Sequence, residues 1–151
     1  MRAAVLTALL LLVGCGPVAQ TPGLRLGGTL APAPANFEFV KDYEEIQLEA
    51  RGSVFPRVVN IWGIGTSDAL YVWGDPDSGW VTRVAQRPDS VRVRIGDQVF
   101  KLRAVTVTDS AEIQRVASAY QAKYSEDLQE MYGRPTTVDD FELFYRLTPR
   151  S

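Results

Sequence analysis

Arg51, Gly52, Ser53 and Arg57 bring two cations and a Gly-Ser pair close together in the chain. A guanidinium gives forked, charge-assisted hydrogen bonds to phosphate, and a Gly-Ser turn adds backbone N–H and hydroxyl donors. Trp80 and Arg83 offer an aromatic face and a further cation. Arg51, Ser53, Arg57, Trp80 and Arg83 together read as a site for a planar anionic ligand. The same arginines also fit a solvated surface turn. Asp75, Asp77 and Gly79 match the start of a calcium loop, but no bidentate Glu follows at the required spacing, so a turn is expected and no metal. Histidine is absent, which excludes a Ser-His-Asp triad, a Cys-His dyad and His-ligated zinc or haem from this chain alone. A formal net charge of −2 argues against a nucleic-acid partner, although the segment 51–103 is locally basic.

These residues need a scaffold. At 151 residues and 46% apolar, the chain has the size and composition of one globular domain. Residues 55–64, 69–73 and 80–84 read as strands, with a turn at 63–68 and a tight loop at 74–79. Val91, Val93 and Ile95 alternate with Arg92 and Arg94, a period of two that buries one strand face. Gly96-Asp97 then turns the chain into a long return strand, 98–107. Asp109 and Glu112 form a capping-box pattern, and Ile113, Val116, Ala117, Tyr120 and Tyr124 make one helical stripe. Ser125 is placed to cap a second short helix that Gly133 ends. A turn or short helical cap at 136–140 and a closing strand at 142–148 follow. Trp62 and Trp73 read as core or groove packing, and Tyr120, Tyr124 and Tyr132 as the edge of the core. Five strands, two helices and a strand predict an α+β, mainly β fold: an antiparallel barrel with two short helices packed at one end.

The N-terminus reads as an address. Met1-Arg2 is followed by an apolar run to Val13, too short to span a bilayer. Leu12-Val13-Gly14-Cys15 resembles the lipobox of bacterial lipoproteins. That resemblance implies a signal peptide over 1–14, an acylated Cys15 and attachment to membrane lipid. Gly16, in place of the Asp that often retains such proteins at the inner membrane, implies the outer membrane facing the periplasm. Cys15 is the only cysteine, so an internal disulfide is excluded. The prolines and glycines of 15–36 predict a flexible linker, with the domain occupying 37–151.

The order of motifs resembles the flavin- and deazaflavin-binding split-barrel family, relatives of pyridoxamine-phosphate oxidase and of deazaflavin-dependent nitroreductases. Glu45 to Ser53 with Pro56-Arg57-Val58-Val59 is similar to the family's first hairpin. Asn60-Ile61-Trp62 and Ala69-Leu70-Tyr71-Val72 are similar to its next strands. Gly79-Trp80-Val81-Thr82-Arg83 and Arg87 to Ile95 are similar to the segment leading through the central hairpin. The resemblance covers about residues 44–150. It implies a split barrel, FMN or a deazaflavin as cofactor, a reductase activity that needs no histidine, and a homodimer. The deazaflavin members' Gly-Arg-x-Ser-Gly turn is replaced here by Ala50-Arg51-Gly52-Ser53-Val54-Phe55, which lacks the second glycine. A non-catalytic interaction module of the cell envelope is the alternative on the same scaffold.

Overall fold

A computed structural model describes residue 23 and residues 26–52 and 54–150. The expectations for residues 1–22, Cys15 among them, and for Ser53 lie outside the described residues. The elements, in order, are β1 (Thr29–Leu30), β2 (Ile46–Arg51), β3 (Pro56–Ile61), β4 (Gly63–Gly65), β5 (Leu70–Trp73), α1 (Gly79–Gln86), β6 (Val91–Ile95), β7 (Gln98–Thr106), α2 (Ser110–Lys123), α3 (Ser125–Tyr132) and β8 (Phe144–Pro149). Short 3-10 turns occupy Glu38–Asp42, Pro88–Ser90 and Val138–Asp140.

The strands pair in the order β3-β2-β6-β7-β8-β5-β4, antiparallel throughout. The run from Pro56 to Gly65 is broken only at Trp62, so it pairs with β2 at one end and with β5 at the other. That shared run curls the sheet into a split barrel, and the fold is α+β and mainly β as the patterns predict.

Alternation sorts the side chains. Val91, Val93 and Ile95 point inward with Leu48, Ala50, Phe100, Leu102 and Leu147, and all are buried. Burying each large aliphatic side chain contributes about 1.5–3 kcal/mol. The outer face of β4, β5 and β8 is buried as well, because α2 and α3 lay Val116, Ala117, Tyr120, Tyr124 and Leu128 against Tyr71 and Phe144. Asp109 caps α2 by accepting from the Glu112 N–H at 2.8 Å. Glu112 does not complete the reciprocal box. Its carboxylate accepts instead from Tyr71 and Arg146. Tyr124, not Ser125, holds the N-cap of α3, and Gly133 ends that helix at φ 65°. Tyr120 and Tyr124 are core residues, at 0% and 2% exposure, and not its edge.

Residues 80–84, expected as a strand, lie in helix α1. The β-branched run reads as a strand, yet Val81 and Val84, three apart, both bury into the barrel core. Helical spacing reaches that core from one side only, and tertiary burial overrides the local preference. Part of the segment read as a linker packs on the barrel. Gly23 pairs with Val58, Leu26 buries against Val58 and Val99, and β1 pairs in parallel with Gln98 and Val99 of β7. Val58 and Val99 alternate with inward residues, so this segment is a strap across the outer face of the barrel.

Candidate functional site

The β2–β3 register decides which arginines can act together. Ala50 pairs with Arg57 and Arg51 pairs with Pro56. Arg57 therefore shares the inward side of the sheet with buried Ala50, while Arg51 shares the outer side with Glu49. The two arginines expected to clamp one phosphate lie on opposite faces of the sheet.

Arg57 instead meets α1. A cavity of about 340 Å³ is lined by Arg57, Val59, Ser78, Gly79, Trp80 and Arg83. The structure thus brings Arg57, Trp80 and Arg83 together and leaves Arg51 elsewhere. Ser78 occupies the N-cap of α1, but its side chain caps nothing. Its Oγ is buried and has no hydrogen-bond partner, and the same holds for Nε of Arg83. A buried polar atom without a partner costs about 1–3 kcal/mol. Ser78 and Arg83 both line the cavity, and each keeps a buried polar atom without a partner; with Arg57 and the positive end of a helix beside them, this arrangement can take an anion. Arg83 is fixed by the bond from its Nη1 to the Gly79 carbonyl at 2.9 Å. It also packs over Gly52, where a Cβ would come within 3.0 Å of Nε. Gly74 lets the Trp80 ring lie on the strand end, since a Cβ there would stand 2.6 Å from the indole. The far side of Trp80 meets Tyr145 edge-on, with centroids 6.2 Å apart. In the sequence, a serine after Asp75-Pro76-Asp77 reads as part of a turn. Its position just before a helix is the signal, and the strand-like run 80–84 hides that helix.

The Asp75–Gly79 segment is an Asx turn, with Asp75 accepting from the Asp77 N–H at 2.8 Å. No cluster of metal-ligating side chains occurs among the described residues.

The bend at Trp62 opens the β ladder, and a second set of side chains closes it. Tyr120 Oη accepts from the Trp73 N–H at 3.0 Å and donates to the Trp62 carbonyl at 2.9 Å. Tyr124 Oη accepts from the Gly63 N–H at 3.0 Å and donates to the Glu44 carbonyl at 2.9 Å. Lys123 Nζ donates to the carbonyls of Val40, Tyr43 and Gly63. Trp62 stacks on Tyr124 with centroids 4.7 Å apart. Burial pushes Tyr124 up to about 12 and Tyr120 well above the ordinary phenol value. Both hydroxyls stay neutral, as a structural role requires.

No protein-family model matches the chain, and no curated protein matches it. Solved structures do. A protein named as a pyridoxamine 5'-phosphate oxidase of Listeria innocua is 15% identical, with a TM-score of 0.56 over 75% of this chain and 89% of that one. A FAD-binding protein of Mesorhizobium loti is 15% identical, with a TM-score of 0.55 over 74% of this chain and 85% of that one. An F420-H2-dependent reductase is 16% identical, with a TM-score of 0.51 over 70% of this chain and 94% of that one. At these identities the likeness shows the fold alone, a split barrel shared with these proteins.

Proposed function

We propose that the cavity between β3 and α1 holds the phosphate end of FMN or a deazaflavin, and that the protein is an oxidoreductase of the cell envelope. The observation that carries this reading is the unpartnered pair, Ser78 Oγ and Arg83 Nε, on a cavity that Arg57 also lines. Both would find partners in phosphate oxygens, and the two guanidinium groups would balance its charge. The fold supports the reading, since solved structures that share it include a FAD-binding protein and an F420-H2-dependent reductase. A bound flavin or deazaflavin would supply hydride transfer. The chain's own residues bind and orient it, with Arg57 and Arg83 fixing the charge and Trp80 walling the cavity.

A volume of about 340 Å³ is at the small end for ligand sites, which span about 300–1,000 Å³. The cavity suits a phosphate and its sugar-like chain better than a whole tricyclic ring. Val54 and Phe55, 75% and 71% exposed, stand at the tip of the β2–β3 connection, between Arg51 and Arg57. We therefore place the ring against a second copy of the chain that covers this tip. We further propose that Cys15 is acylated and attaches the protein to the envelope, in the outer membrane. Cys15→Ala would then abolish the acylated mass, and an unchanged mass in detergent extracts would reject the anchor.

Titration of the chain with FMN and with a deazaflavin, followed by fluorescence quenching, tests the cofactor reading. Measurable affinity that falls about tenfold or more in Arg57→Ala is expected, since about 1.4 kcal/mol is a factor of ten. No affinity for either compound would leave a non-catalytic interaction module.

A further inference from the structure

On the opposite face of the sheet from the α1 cavity lies a groove of about 440 Å³ lined by Leu30, Arg51, Ser90, Arg92, Lys101 and Arg150. The β6–β7 register sets Arg92 directly across from Lys101, and β2 adds Arg51 beside them. Arg150, just after β8, is held over the groove by bonds from its Nε to the Leu102 carbonyl and from its Nη2 to the Val91 carbonyl. Four cations thus converge in a protein whose net charge is −2.

Little acid answers them. Glu49, 3% exposed, lies beneath and accepts from Arg92 at 3.3 Å, with Arg51 at 3.7 Å. Asp89 is turned to Arg103 at 2.6 Å. Lys101 forms no ion pair among the described residues, and Nε of Arg92 is buried without a partner. Desolvation holds Arg150 below the ordinary arginine value, and Arg51 and Arg92 add to this against the pull of Asp89. Like charges kept this close, with donors unfilled, are arranged for an anion that the protein itself does not supply.

The groove has an apolar side. The strap passes along it, and Leu30, Ala31, Pro32 and Ala33 wall an adjoining hollow of about 450 Å³ that shares Leu30, Lys101 and Arg150. Leu30 is 54% exposed there. Fixed cations beside an open apolar wall match a ligand with a charged head and a hydrocarbon part.

We propose that this groove binds a phosphate ester carrying an apolar chain, with the phosphate among Arg51, Arg92, Lys101 and Arg150 and the chain along Leu30–Ala33. The site is separate from the α1 cavity and does not depend on the cofactor reading. A phospholipid headgroup and a soluble alkyl phosphate present the same chemistry.

The full chain is tested in two arms. In the first it is titrated with inorganic phosphate and with hexyl phosphate by calorimetry. In the second it is floated with vesicles of phosphatidylcholine alone or mixed with phosphatidylglycerol. The variant is Arg51→Ala with Lys101→Ala, both exposed, and folding is checked by circular dichroism. Hexyl phosphate should bind more tightly than inorganic phosphate, and the double variant should lose about tenfold or more. Preference for the anionic vesicles, lost in the variant, would assign the source as lipid. Binding of hexyl phosphate without that preference would assign a soluble ester. The proposal is overturned if neither hexyl phosphate nor anionic vesicles bind, or if the double variant binds them as tightly as the parent. It is also overturned if Arg83→Ala, across the sheet, abolishes binding while the double variant does not.

Discussion

At the bend after β3, Tyr120, Tyr124 and Lys123 supply partners to the backbone groups of Trp62, Gly63 and Trp73. At the N-terminus of α1, Ser78 Oγ and Arg83 Nε are just as enclosed and have none. Both regions arise where a strand gives way to something else, and both carry residue types that are often taken for chemistry. The difference lies in how the polar groups are satisfied. Where the chain closes its own hydrogen bonds, a tyrosine pair and a lysine are fold; where a serine and an arginine lining a cavity keep unpartnered atoms, we propose a binding site. One exception sharpens the contrast, since Trp73 Nε1 on the helical flank is also unpartnered. It is a single neutral donor with no charged neighbour among the contacts of its ring, which meets Trp62, Tyr120 and Phe141.

The contrast breaks most visibly at Tyr120. Replacing this fully buried ring by alanine should destabilise the fold by about 3–5 kcal/mol, as for other large core aromatics. Urea unfolding measures the loss. Cofactor affinity per folded molecule should not move, because Tyr120 faces the helical flank. A variant that keeps its stability and loses cofactor binding would reverse the assignment of the two regions.

The paired experiment is Arg57→Ala with Arg83→Ala. Each charge-assisted hydrogen bond is worth roughly 1.5–3 kcal/mol, so FMN or deazaflavin affinity should fall by about a hundredfold. Stability should stay near the parent value, because the change removes one exposed bond, from Arg83 to the Gly79 carbonyl, and no core packing. Arg51→Ala is the control. It lies on the other face of the sheet, and its effect on cofactor binding should be within a factor of about two.

That control marks where the sequence stopped being legible. The hairpin of β6 and β7 and the stripe of α2 stand out because period two and period 3.6 each persist over many residues. The barrel follows from them. Arg57, Trp80 and Arg83 were identifiable by type, but their meeting was not. It depends on a register in which one step moves an arginine to the other face, and on reading Trp80-Val81-Thr82-Arg83-Val84 as a helix. The strap was hidden for a related reason. Its prolines and glycines carry no period, and Leu26 is a single apolar residue whose burial only the assembled sheet reveals.

A smaller effect is expected at Glu112, on the outside of the flank. Its carboxylate accepts from Tyr71 Oη at 2.6 Å and from Arg146 at 3.0 Å while its backbone N–H is capped by Asp109. Glu112→Gln keeps the shape and removes the charge. It should cost about 1 kcal/mol, in the range of a partly exposed ion pair with one further hydrogen bond. Thermal unfolding would register this, and a loss as large as that of Tyr120→Ala would show that the flank depends on its charges more than on its packing.

The smallest effect lies where α3 hands the chain to β8. Arg134 donates through both Nη groups to the Asp140 carboxylate, which also accepts from the Thr137 N–H at 2.7 Å and completes a capping box. The Arg134 bonds, and next the Thr137 N–H, lower the Asp140 carboxyl from 3.8 to about 2. A carboxyl held below its unfolded value adds stability above about pH 4. That stability fades as pH falls through the unfolded value and is gone once the pH drops below about 2. The group sits at the solvent boundary, so the expected result is local: the 137–140 turn loosens in acid before the barrel does. Amide hydrogen exchange at residues 137–141 should quicken between about pH 4 and pH 2, beyond the intrinsic change for exposed amides, while exchange in β6 and β7 does not. Asp140→Asn should remove that pH dependence. If the turn and the barrel instead lose protection together, the flank and the barrel unfold as one unit, and the division drawn between them is structural without being energetic.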